Sequence, residues 1–90
     1  MTKQSPVEAL ARHLVYEAAR QVRFQPGRWA ELSEIARMLH VSWEDARAAA
    51  QFAAVTPRDW IDCKGHSVMV REAGQPIVDE KVRKAPRSPS

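Results

Sequence analysis

Three residues, His40-Val41-Ser42, are all that separate two helical segments, and this joint constrains the fold more than any other feature of the chain. On its N-terminal side Leu32, Ile35, Ala36 and Leu39 share one face of a helix read over 30–39, with Glu31, Glu34 and Arg37 largely off it. On its C-terminal side Ser42 is a good N-cap, and Glu44 and Asp45 place negative charge in the first turn, where the helix dipole favours it. That helix is expected from Trp43 to Val55, ended by Thr56-Pro57. Its inner face is built from Ala46, Ala49, Ala50 and Ala53, with Phe52 beside it. Alanines let helices approach closely, so this face is expected to cross another helix at short range.

The partner for that crossing lies upstream. Ser5-Pro6-Val7-Glu8 reads as a capping box with proline at the first helical position. Val7, Leu10, Ala11, Leu14, Ala18 and Val22 then form one stripe of an amphipathic helix over 6–23, closed by Pro26-Gly27. Beyond Pro57 the period changes. Residues 60–63 and 67–71 are short β-prone runs around Lys64-Gly65-His66, and Gly65 supplies the positive φ of a tight hairpin turn. After Gly74 the chain turns polar and proline-punctuated, and the last ten residues read as a disordered basic end carrying Lys81, Arg83, Lys84 and Arg87. The expected division is an N-terminal tail at 1–4, one domain at 5–73 and a C-terminal tail at 74–90. Trp29 and Trp60 are expected in the core.

With 90 residues, the chain buries too little surface to enclose a large catalytic cavity. One cysteine, Cys63, excludes an internal disulfide and a multi-cysteine zinc site, and reads as a small buried hydrophobe in a reducing compartment. His13, His40 and His66 share no ligand spacing. No metal, cofactor or catalytic constellation is expected, nor is a membrane span; the expected location is cytoplasmic. The net charge is +3. Its distribution is uneven: four cations and two anions in residues 1–25, four and five in 26–60, six and four in 61–90. Basic flanks frame a slightly acidic middle.

Three helices followed by a β-hairpin, an α+β but mainly α plan, is the order of the winged helix-turn-helix superfamily, and the stretch from Leu32 to Ala49 resembles its helix-turn-helix signature. Ala36 stands where that signature keeps a small residue, and Ile35, Leu39, Val41, Ala46 and Ala49 fall on its apolar positions. His40 occupies the turn position where glycine is usual. The resemblance spans residues 5–72 and identifies no single family within the superfamily.

The resemblance implies double-stranded DNA as the partner and transcriptional regulation as the role. The third helix would enter the major groove, and the hairpin, its wing, would meet the backbone. Its outward face would then be Trp43, Glu44, Arg47, Ala48 and Gln51, with Arg47 suited to guanine, Gln51 to adenine and Glu44 to a cytosine amino group. Lys64, His66 and Arg71 would stand on or beside the wing, and Arg28 and Arg58 in flanking loops, all placed for phosphates. Four such phosphate contacts imply a roughly hundredfold loss of affinity between 50 and 200 mM salt. Against this stand the two acids at the helix N-terminus, the end that ordinarily meets phosphate. Trp43 either folds back on the core or stands exposed as a protein contact. The rival reading is therefore a winged-helix module that binds a protein, or a second copy of itself, through Trp43 and the alanine-rich helix; an RNA-binding winged domain is a weaker third.

Overall fold

The computed structural model describes residues 6–84. Helix α1 (Pro6–Gln21) is followed by a short strand β1 (Ala30–Glu31), helices α2 (Leu32–Leu39) and α3 (Trp43–Ala54), strands β2 (Ile61–Lys64) and β3 (Ser67–Val70), a single 3-10 turn (Glu72–Gly74) and helix α4 (Gln75–Lys84). The architecture is α+β and mainly helical. The strands form one antiparallel sheet in the order β1-β3-β2, with Ile61 opposite Val70, Lys64 opposite Ser67 and Ala30 opposite Val68. Among the described residues no helix is long and apolar enough to cross a membrane.

Helix α1 is the hub. Its Ala11, Leu14, Val15 and Ala18 are buried, as are Ala46, Ala49, Ala50 and Ala53 on α3, and these two helices make the most extensive packing in the molecule. A methyl group at each of four successive inner positions of α3 removes the bulk that normally holds helix axes about 8–10 Å apart. Ile35 from α2, Ile61 and Val68 from the hairpin and Val78 from α4 close the core around Leu14 and Val15.

Helix α2 ends where the sequence requires a left-handed residue. His40 has φ 56° and ψ 43°. Its N–H donates to the Arg37 carbonyl at 3.1 Å, and the Val41 N–H donates to the Ala36 carbonyl at 3.1 Å. This paired closure of a helix end normally falls to glycine, because a side chain in that conformation crowds the backbone. Two residues on, the Ser42 hydroxyl accepts from the Asp45 N–H at 3.1 Å and starts α3.

The structure departs from the expectations in several places. Residues 30 and 31 are not the first turn of α2 but a strand, and the Leu32 N–H donates to the His66 carbonyl at 2.8 Å. A two-residue strand carries no periodicity to read. Trp29 is exposed rather than buried: alternation along β1 turns Ala30 inward, so its neighbours Trp29 and Glu31 face out. Cys63 is likewise exposed, near the projecting end of the hairpin, with Sγ 4.0 Å from the Ala50 carbonyl oxygen.

The largest difference is at 74. The segment read as a tail continues as α4, which buries Ile77 and Val78 against the core and packs on α1. Ile77, Val78 and Val82 among six polar or charged residues and Pro76 give too weak a stripe to signal a helix, yet Ile77 and Val78 suffice once α1 offers a partly uncovered flank. The Ser5 cap, the tail at 1–4 and the basic end at Arg87 lie outside the described residues.

Candidate nucleic-acid interface

The outward face of α3 is open. Glu44, Arg47, Ala48 and Gln51 are exposed, and the side chains of Arg47 and Gln51 form no hydrogen bond or ion pair among the described residues. Twelve residues make a helix about 18 Å long, and one helical turn places Arg47 and Gln51 above one another, about 6 Å apart along the axis. That separation matches roughly two base steps of 3.4 Å along one DNA strand. The alanine face opposite is committed to the core, where Ala46, Ala49, Ala50 and Ala53 are buried.

The hairpin tip lies close to the start of this helix. The Trp43 and His66 rings meet edge to face, with centroids 4.9 Å apart and planes at 68°. Trp43 is therefore half-buried, folded back onto the hairpin and not projected as a large exposed contact. Together with the Leu32-to-His66 backbone bond, the pair ties the tip to both α2 and α3. Lys64, beside the tip, is exposed and unpaired among the described residues.

The remaining cations separate from this face. Arg58 is committed inside the fold: its Nε donates to the Phe52 carbonyl at 2.6 Å, and its guanidinium lies 3.6 Å from the centre of the Phe52 ring. It thereby satisfies a carbonyl left open at the end of α3, where a cation is also favoured by the helix dipole. Arg58 thus has a structural role at the end of α3. Arg28 and Arg71 line a common cavity between the end of α1 and the start of α4, to which α3 contributes no residue. Of the nine residues expected to form one interface, the structure places Trp43, Glu44, Arg47, Gln51, Lys64 and His66 on α3 and the hairpin tip. It uses one of the others internally and gathers two elsewhere.

Partial burial of Sγ beside α3, and secondarily the Asp62 carboxylate, push the Cys63 thiol above its ordinary range. Among the described residues no cluster of three His, Cys, Asp or Glu side chains is placed to hold a metal ion. Comparison with protein-family models, with curated proteins and with solved structures gave no match to this chain.

Proposed function

We propose that this chain is a small winged helix-turn-helix protein that binds double-stranded DNA, with α3 in the major groove and the hairpin tip beside the backbone. The observation that carries the reading is the α2–α3 unit: a left-handed His40 and a capped Ser42 turn the chain within three residues and leave Arg47 and Gln51 unpartnered on the open face. The element order and the pairing of β1 with the hairpin suit the same reading. Arg47 meets a guanine edge and Gln51 an adenine edge; Glu44 accepts from a cytosine amino group, which also gives the acid at the helix start a task. A role in transcription regulation follows from such sequence reading.

The protein-binding rival relied on Trp43 and the alanine-rich face. Both are already occupied within the chain, the alanines by α1 and Trp43 by His66.

Among the described residues assembled at this face, Arg47 and Lys64 are the ones that add positive charge. Two neutralised phosphates correspond to a slope of about −1.8 in log affinity against log salt, hence a roughly tenfold loss between 50 and 200 mM, not a hundredfold one. A titration of isotope-labelled protein with duplex DNA, followed by amide shifts at both salt concentrations, tests the reading. Shifts at Arg47, Gln51 and Lys64 that weaken about tenfold with salt, and vanish in Arg47→Ala/Gln51→Ala, are expected. Absence of shifts on α3 at 50 mM salt, with duplex at roughly 100 µM, the weak end of non-specific binding, would refute it.

A further inference from the structure

We propose a second binding site, for a small oxyanion carried on an apolar, ring-sized body, in the cavity between the end of α1, the 24–28 loop, the end of β3 and the start of α4. The cavity holds about 500 Å³, within the usual size of small-molecule sites. Ala19, Val22, Phe24, Met69 and Val70 supply its apolar lining. Phe24 is half-exposed, yet its ring is steadied by Tyr16 at 6.1 Å between centroids. An apolar body entering here covers a ring that the fold leaves uncovered.

The charged lining sets the sign of the ligand. Among the described residues the charged lining is Arg28, Arg71 and Glu72, two cations to one anion, and neither guanidinium enters an ion pair or side-chain hydrogen bond there. Two unpaired guanidinium groups lining a largely apolar recess are suited to a carboxylate or phosphate oxygen pair, which a guanidinium binds through parallel N–H donors. Arg28 also lines an adjoining recess with Gln21, whose Nε2 is buried without a hydrogen-bond partner and lacks an acceptor. Because α3 contributes nothing to either recess, this site stands whether or not α3 meets DNA.

The test is an amide-shift titration with four probes: 1-naphthoate, 1-naphthyl phosphate, the neutral 1-naphthamide and inorganic phosphate. Saturable shifts confined to residues 19–28 and 69–75 are expected for the first two, and the tighter of them identifies the oxyanion. Each is expected to bind at least about tenfold more tightly than 1-naphthamide or inorganic phosphate, and to lose about tenfold in Arg28→Ala or Arg71→Ala. Both arginines are exposed, and unchanged amide spectra away from the cavity check that the variants fold. Val22→Phe, which enlarges an apolar lining residue and leaves both arginines in place, is expected to block the ring-bearing probes. Equal binding of 1-naphthamide, equal binding of inorganic phosphate, undiminished binding in both arginine variants, or shifts centred on α3 would each overturn the proposal.

Discussion

Replacing Gly74 by alanine adds one methyl group at the point where the hairpin hands over to α4. Gly74 is buried, and its backbone conformation is one that any residue adopts, so the reason for glycine is space. A Cβ there would overlap the Trp60 carbonyl oxygen and lie 3.0 Å from the Trp60 carbonyl carbon and 3.2 Å from its Cα. Every one of those atoms is backbone, so no side chain can swing aside. The same Trp60 carbonyl accepts from the Arg71 N–H at 2.8 Å, while the Trp60 N–H donates to the Ala53 carbonyl at 2.8 Å, the link from α3 to the hairpin. Overpacking costs about 1–3 kcal/mol, and losing the Arg71 bond about 0.5–1.5 kcal/mol, so the substitution is expected to cost about 2–4 kcal/mol. At about 4–8 °C per kcal/mol for a domain of this size, the melting temperature falls by roughly 10–30 °C. Gly65→Ala is the control: nothing lies within 4 Å of its Cβ, but φ is +60°, so left-handed strain alone costs about 1 kcal/mol. Thermal melts followed by circular dichroism compare the two. A Gly74→Ala melt as close to the parent as that of Gly65→Ala would refute the argument that α4 is seated by backbone-to-backbone contact.

Three further outcomes are expected. Arg58→Ala removes a 2.6 Å bond and a stacked ring, lowering stability by about 1–3 kcal/mol in urea unfolding while leaving duplex affinity at low salt unchanged; a loss of affinity without loss of stability would return Arg58 to the interface. His40→Gly relieves the left-handed strain at φ 56° and is expected to gain about 0.5–1 kcal/mol, part of the relief being offset by the freer unfolded chain; an unchanged or lower urea midpoint would contradict it. Burial, and then the charge of Lys81 on α4, hold the His13 imidazole below its ordinary value of 6.5. The unfolded chain therefore binds this proton first as the pH falls, so stability is unaffected above about 6.5 and declines below it. Lys81→Ala is expected to lessen that decline in urea titrations at pH 7 and 5, and an identical pH dependence in the variant would remove Lys81 as a cause.

The inner faces of the helices were legible because each is a local pattern. Ile35, Ala36, Ala46 and Ala49 were read as buried from spacing alone, and they are buried. Helix α1 was legible only in part: its stripe included Ala11, Leu14 and Ala18 but omitted Val15 and Ala19, which are buried as well. A stripe read at one period describes a helix with one partner, whereas α1 packs on α2, α3, α4 and the sheet, so a wider face is covered. For the candidate interface, exposure of Glu44, Arg47 and Gln51 followed from the same periodicity. The fates of Arg28, Arg58 and Arg71 did not, since a cation in a loop carries no mark of what lies across from it.

By itself, then, the sequence determined three helices, the Ser42 cap, the left-handed turn at His40 and the hairpin around Gly65, all set by interactions within a few residues. Tertiary structure alone decided that 30–31 become a strand, because β3 offers the missing hydrogen bonds, and that 75–84 become a helix, because α1 covers Ile77 and Val78. It also decided which basic residues remain available beside α3. Arginine is long and adaptable, and the nearest carbonyl, ring or cavity takes it, however distant in sequence.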